Sequence, residues 1–325
     1  MSTEPRRARL RALAKINLGV RVLHKRGDGF HELRTVFQTI SLADTLDVEF
    51  EPSRRTSIEL TGCDEIADNL VVRAARAAMD AMKTTGRVRF HLVKRIPMGA
   101  GLGGGSSDAA AVLLALPVLA GREMAPDEMI ALGARLGSDV PYFFLGGTAL
   151  GLGRGTELYP LPETPAAPLV LVAPAIHMST ADAYRALDLG LTSDVEQNMI
   201  DSFQSRVWSV GHGMSKGSSA GVLGNDFEGV VFDRHPELRT LKRKLLRLGA
   251  RAAMMTGSGS ALFGLFDSRK DAARVLPSFG REKAYSVTMV SRARYRAMWQ
   301  RQMAAHCVER IWPLRSRHLR RCMIV

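Results

Sequence analysis

Pro97-Met-Gly-Ala-Gly-Leu-Gly-Gly-Gly-Ser-Ser-Asp108 is the stretch on which the fold and the chemistry turn. Before it, Arg87 to Ile96 alternates as a half-buried strand, with Val88, Phe90 and Leu92 to one side and Arg87, Arg89 and His91 to the other. After it, Ser107 to Leu119 runs on as an alanine- and leucine-rich helix. Five glycines between strand and helix let the backbone come close to a ligand and turn its amides inward. A helix starting near Ser106 and Ser107 adds free N–H groups and a positive dipole end, so the whole is a phosphate cradle. A tight turn capped by Ser106 would account for the serine but not for five glycines.

The cradle is not a Walker A loop, because no Lys-Ser/Thr follows the last glycine. Gly99, Gly101 and Gly104 fit G-x-G-x-x-G, but the acid that a dinucleotide site requires some 20 positions on would be Glu123, in a turn. A protein-kinase glycine loop needs a second strand after it, where Ala109-Ala110-Ala111 reads as helix.

Outward from the loop, Leu46 to Glu51 and Ile58 to Leu60 have strand character. Asn69 to Met82 is an amphipathic helix, and Pro126 to Leu136 another with Pro126 in its first turn. Leu161 to Pro168, with three prolines, is the linker candidate. Beyond it come a strand at Leu169 to Ala173, helices at Thr180 to Leu187 and Pro236 to Leu248, and strands at Ala252 to Thr256 and Ala261 to Phe266. A helix near Ser268 to Leu276 and a strand at Tyr285 to Val290 complete the set. Helices and strands mix without regular βαβ alternation, which predicts an α+β fold in two layers. The expected divisions are 1–165, 166–291 and a basic tail, 292–325.

At 325 residues, with 46% hydrophobic and 24% charged residues, the chain has ample material for a core without metal or disulfide staples. Cys63, Cys307 and Cys322 are odd in number and lack metal-ligand spacing, which points to a reducing, cytoplasmic setting. The longest strongly apolar run, Ala109 to Ala120, falls short of the roughly 20 residues of a membrane span. No membrane partner is expected. The net charge of +13 suggests nucleic acid until it is located. From Arg292 onward, nine arginines against the single acid Glu309 supply +8, leaving +5 for the first 291 residues. The excess belongs to the tail and assigns nothing to the body.

The glycine loop, together with Ala14-Lys-Ile-Asn-Leu18 near the start and Thr256-Gly-Ser-Gly-Ser-Ala-Leu-Phe-Gly264 near the end, resembles the three motifs of the GHMP kinases. Gly27-Asp-Gly-Phe-His31, Phe37-Gln38, Gly137-Ser-Asp-Val-Pro141, Phe144-Leu-Gly-Gly-Thr148, Gly153-Arg-Gly155 and Asn225-Asp226 are similar to those members whose acceptor is a cytidine diphosphate-linked methylerythritol. The resemblance runs from about Ala12 to Val290. It implies a ribosomal-protein-S5-like ATP domain followed by a ferredoxin-like domain, use of ATP and Mg²⁺, and phosphorylation of a tertiary hydroxyl in non-mevalonate isoprenoid synthesis.

By position the resemblance makes Lys15 and Asp139 the catalytic pair. A carboxylate that accepts the proton of a tertiary alcohol, with a lysine beside it, suits that chemistry. Pro97, Met98, Gly99, Ala100, Gly101, Leu102, Gly103, Gly104, Gly105, Ser106 and Ser107, with Asn69, Leu70 and Lys94, match ATP-site positions. Phe30 and Tyr184 match rings that sandwich cytosine, His31 the residue that bonds its edge, and Asn17 and Thr180 further acceptor contacts. No acid is placed as a metal ligand. Taken singly, Asp139 would read as a turn residue beside Pro141, Lys15 as a surface lysine and each ring as core.

Two other readings compete. Another GHMP kinase, of the homoserine or phosphomevalonate type, would share the loop but give Phe30, His31 and Tyr184 no pyrimidine to meet. A nucleotide-dependent RNA-binding protein would use the tail, yet only Trp299 and Trp312 are aromatic company for its arginines. His177 stands in an unusual polar insertion, Ile176-His-Met178, and the last four residues, Cys322-Met-Ile-Val325, formally fit a prenylation box with an atypical final residue.

Overall fold

A computed structural model describes residues 4–63, 68–163, 166–176, 178–187 and 224–319. Strand β1 (Arg6–Lys25) pairs antiparallel with β2 (His31–Pro52), and the two form the spine of a six-stranded sheet. The length of β2 lets it serve three partners. Its residues 33–38 pair with β5 (Thr148–Gly153), its residues 45–52 with β4 (Gly86–Val93), and β1 follows it nearly end to end. Strand β3 (Ser57–Thr61) adds parallel to β4, and β6 (Glu157–Pro160) antiparallel to β5. A second, antiparallel sheet has the order β10-β7-β9-β8, from β7 (Pro168–Ala173), β8 (Ala252–Met255), β9 (Leu262–Leu265) and β10 (Lys283–Thr288).

The pairing of β1 with β2 slips at three places, and the first matters most here: Leu13 faces Ala43, but Lys15 faces Thr39. Such a bulge frees a ladder amide and re-aims a side chain. Here the Lys15 N–H leaves the sheet and donates to the Leu102 carbonyl of the glycine loop at 3.0 Å. Thus the sheet irregularity is the point where β1 grips the loop.

Three apolar clusters hold these layers. Helices α1 (Leu70–Ala81), α2 (Gly104–Ala120), α3 (Pro126–Leu136) and α4 (Val140–Leu145) pack on the first sheet around Leu46, Phe50, Phe90 and Leu113. A second cluster lies between the sheets, joining Ile16, Val36 and Ile40 to Leu169, Leu171 and Phe263. A third sits under α5 (Thr180–Ala186), α6 (Phe227–Arg234), α7 (Pro236–Arg247) and α8 (Arg269–Val275), where Val170 and Val172 turn toward Phe227 and Leu245. Strand β7 therefore buries both faces, Leu169 and Leu171 on one and Val170 and Val172 on the other. This is the two-layered α+β arrangement that the pattern of elements predicts.

Residues 292–319 correct the picture of a separate basic tail. Helix α9 (Arg292–Gln302) and the coil after it bury Tyr295, Met298, Trp299, Met303, Cys307 and Leu314 in the core of the first sheet and its helices. The reason is visible in the spacing of 295, 298 and 299, a helical stripe set among the arginines. Among the described residues, no helix is long and apolar enough to cross a membrane. Cys322 and the residues after it, and His177, lie outside the described residues.

Candidate active site

Helix α2 begins at Gly104, three residues earlier than the apolar pattern alone suggests, and its N-cap, Gly103, is left-handed at φ +67° with no side-chain cap. Gly99 and Gly101 are left-handed too, at φ +65° and +75°. The first-turn amides are thus left to a ligand, as an anion site requires. A second glycine turn, 257–260, closes against the first. Asn225 braces it, its Nδ2 donating to the carbonyls of Met255 and Gly257 at 2.8 Å each. The Asn225-Asp226 pair is thereby a structural clamp, with Asp226 accepting from Val22 N at 2.9 Å and pairing with Arg21.

These loops border a cleft of about 470 Å³. Its walls include residues 97–106, Asn69, Leu70, Lys94, Lys15, Asn17, Asp139 and Tyr184. Lys15 and Asn17 are two apart on a strand and so share a face. Lys15, 4% exposed, places Nζ 2.8 Å from Asn17 Oδ1 and 3.2 Å from Asp139 Oδ2. Asn17 Nδ2 donates to Thr35 Oγ1 at 2.7 Å, and its backbone N–H donates to Thr256 Oγ1 at 3.0 Å. Each donor of this buried network has an acceptor, so the lysine is fixed rather than free to swing. Asp139 ends the Gly137-Ser-Asp turn and stands immediately before α4.

Four expected ATP-site side chains hold protein partners. Ser107 turns away from the cleft: it is buried and its hydroxyl donates to Leu13 O at 2.7 Å, tying α2 to β1. Asn69 is the N-cap of α1, accepting from Val71 N at 2.9 Å while bordering the cleft. Leu70 packs under Gly105. Lys94 pairs with Asp108 at 2.8 Å and with the fully buried Asp44. Burial works against the Lys94 charge, but Asp108 and Asp44 outweigh it and hold its pKa above the usual lysine value. Asp108 is pushed up to about 7 by burial, with Asp44 adding to the rise and Lys94 opposing it.

The side of the cleft around Tyr184 is built from rings. Asp28 Oδ1 accepts from Phe30 N at 3.1 Å, shaping a turn that leaves Phe30 47% exposed, and the Arg154 guanidinium lies 3.6 Å from its ring centroid. His31 stacks on Tyr184 at 4.7 Å and 20°, and Phe227 meets Tyr184 edge-on at 4.9 Å. Burial lowers the His31 pKa, as does Lys25. Burial raises that of Tyr184, and the nearby Asp139 raises it further, which sets the ring within electrostatic reach of the carboxylate. Phe30 and His31 are beside the cleft rather than in its wall, whereas Tyr184 lines it. Thr180 opens α5; nothing is described of its side chain. Sequence reasoning missed Thr35, Arg154 and Asp44. Arg154 alone had a signal, the Gly153-Arg-Gly155 motif.

Comparison with known proteins identifies the family. The family model for the GHMP kinases N terminal domain matches residues 69–147, and that for GHMP kinases C terminal matches residues 209–285. A 4-diphosphocytidyl-2-C-methyl-D-erythritol kinase of Solibacter usitatus is 58% identical over 322 residues, covering 98% of this chain and 99% of that protein. This likeness extends past Val290 and so includes the C-terminal segment that the motifs alone left out. A crystal structure of 4-(cytidine 5'-diphospho)-2C-methyl-D-erythritol kinase superposes with a TM-score of 0.73 at 38% identity, covering 86% of this chain and 98% of that one. The homoserine kinase of Cytophaga hutchinsonii shares the fold, with a TM-score of 0.64 at 18% identity over 88% of this chain and 95% of its own. The chain belongs to the GHMP kinase family.

Proposed function

We propose that this phosphotransferase moves the γ-phosphoryl group of ATP to the 2-hydroxyl of 4-diphosphocytidyl-2-C-methyl-D-erythritol, a step of non-mevalonate isoprenoid precursor synthesis. The observation that carries the reading is the ion pair of Lys15 with Asp139 at 3.2 Å beside the uncapped N-terminus of α2. ATP phosphates lie on the free amides of the glycine loop, against the positive end of the helix. Asp139 accepts the proton of the acceptor hydroxyl as its oxygen attacks the γ-phosphorus and the bond to the β-bridging oxygen breaks. Lys15, 3.2 Å away, orients that carboxylate and offsets charge on the transferring group. Positioning and electrostatics supply most of the acceleration in such transfers, and base assistance about 10²–10⁴-fold.

Cytosine stacks between Phe30 and Tyr184, His31 bonds its edge, and Asn17 and Thr180 meet the sugar-alcohol end. The Ser106 hydroxyl, at the start of α2 and in the wall of the cleft, offers a hard oxygen that fits a Mg²⁺ arriving with the nucleotide. When bound, the ion neutralises phosphate charge. The setting proposed is cytoplasmic, with no nucleic-acid partner. Side-by-side assays of ATP consumption with the diphosphocytidyl alcohol, homoserine and mevalonate test the reading; turnover confined to either of the last two would replace it.

A further inference from the structure

We infer that the C-terminal segment positions the catalytic carboxylate, with Tyr295 and Trp312 acting through α4 on Asp139. The inference rests on the role proposed for Asp139, and it concerns residues beyond the two kinase family models.

Helix α4 is short. A helix of six residues, Val140–Leu145, cannot satisfy its own last four carbonyls. Tyr142 O accepts from Gly146 N at 2.9 Å. The next two are taken by the C-terminal segment: the Tyr295 hydroxyl donates to Phe143 O at 2.6 Å, and Trp312 Nε1–H donates to Phe144 O at 2.9 Å. Both donors are rings with little conformational freedom, and Tyr295 is 1% exposed. They also touch each other, with centroids 6.2 Å apart at 69°.

The turn after α4 is shaped for the same segment. Gly146 and Gly147 are left-handed, at φ +66° and +73°. A β-carbon on Gly146 would stand 2.4 Å from Tyr295 Cδ1, and one on Gly147 would stand 2.7 Å from the backbone nitrogen of Arg292. The first turn of α9 is therefore seated directly on the glycine pair. Arg292 adds a bond to Thr148 O and an ion pair with Glu163 at 3.2 Å.

At its other end α4 begins at Asp139. A one-turn helix transmits a shift of its C-terminal carbonyls to its first residue, because no longer helical body absorbs it. The carboxylate has only 3.2 Å to Lys15 to preserve, and misplacement by about an ångström is enough to lose a large part of the rate of a positioned reaction.

The test uses the full chain carrying Tyr295→Phe or Trp312→Phe, each alone and combined with Asp139→Asn. Tyr295→Phe removes one hydroxyl and keeps the packed ring; Trp312→Phe removes one N–H at the rim. Each single change is expected to lower kcat about five- to tenfold, with KM for ATP and for the acceptor alcohol within about twofold. In the Asp139→Asn background the same changes should alter the residual rate less than twofold, since the group they position is gone. A purely structural role would move activity by one common factor in both backgrounds, and that result, or an unchanged kcat, overturns the inference. Should Tyr295→Phe melt below the assay temperature, the decision falls to Trp312→Phe on the same criteria. Near-normal turnover of Asp139→Asn alone would remove the role proposed for Asp139, a result separable from the behaviour of Tyr295→Phe in the unmodified chain.

Discussion

Gly101 stands so close to Thr256 that a β-carbon built on it would be 2.2 Å from the Thr256 carbonyl oxygen. The two glycine turns, 155 positions apart, thus interlock backbone to backbone, and Thr256 Oγ1 reaches back to Gly101 O at 3.3 Å. The phosphate cradle is a joint between the two sheets' loops as much as a loop of its own.

Gly101→Ala should accordingly damage the fold itself. The residue is left-handed and the added carbon meets a carbonyl that cannot yield, so a loss above about 3 kcal/mol is expected. Gly105→Ala is the control. Its β-carbon meets only Leu70 Cδ1 at 3.4 Å, within the first turn of α2, so the protein should fold normally and lose ATP affinity alone. Thermal melts with calorimetric ATP titrations separate the two, and equal melting temperatures for both variants would contradict the joint.

Asp108 predicts a pH dependence of stability. Its folded pKa, about 7, is above the ordinary value of 3.8, so between those limits the folded chain binds more protons than the unfolded one. Stability from this group is then fully present below pH 4 and is lost as pH rises through 7. Each tenfold change in proton affinity is worth about 1.4 kcal/mol, so a rise from 3.8 to about 7 makes the loss on the order of 4 kcal/mol. Asp108→Asn should flatten the decline in melting temperature between pH 5 and pH 8. An unchanged slope would show that the carboxyl is already ionised at pH 5.

Removal of residues 292–325 should unfold the protein. Truncating a buried aromatic side chain costs about 3–5 kcal/mol, and Tyr295 and Trp299 are both 1% exposed beside Met303 and Cys307. Against a total stability of about 5–15 kcal/mol, their joint loss is not survivable. A truncated chain with native melting behaviour and full turnover would restore the reading of these residues as a separate basic tail.

Much of the architecture was legible because the residues alternate where one face is wet. Arg87 to Val93 buries every second residue, and Asn69 and Met82 cap α1 at the expected ends. Strand β1 was not legible: between Ala12 and Val20 every residue is buried, so no period of two survives. Helix α4 is too short to show a period, whereas the apolar stripe at 295, 298 and 299 is legible as a packing helix despite the arginines around it. Phosphate binding could be read from five glycines, whereas the approach of Lys15 to Asp139, 124 positions away, depends on a bulge that no local signal announces. Only the family resemblance brought those two together.

Phe30→Ala and Tyr184→Ala should each weaken the acceptor about ten- to hundredfold, the cost of about 1–3 kcal/mol for one stacking platform, with ATP affinity nearly unchanged. The double variant should lose less than the sum. His31→Ala should reduce selectivity for cytosine over uracil more than affinity, because His31 bonds the edge of the base. Isothermal titration of the single and double variants with the acceptor reads all three. Unchanged affinity in both single variants would leave a GHMP kinase whose acceptor is not a cytidine compound.

The central claim is that Asp139, held by Lys15, takes the proton of the diphosphocytidyl alcohol. The direct measurement is kcat and KM of Asp139→Asn with that alcohol. The change is isosteric and leaves a side chain beside Lys15, so binding should persist within several-fold. The account predicts a kcat lower by about 10²–10⁴ with both KM values nearly unchanged. Turnover within a few-fold of the unmodified enzyme would contradict it.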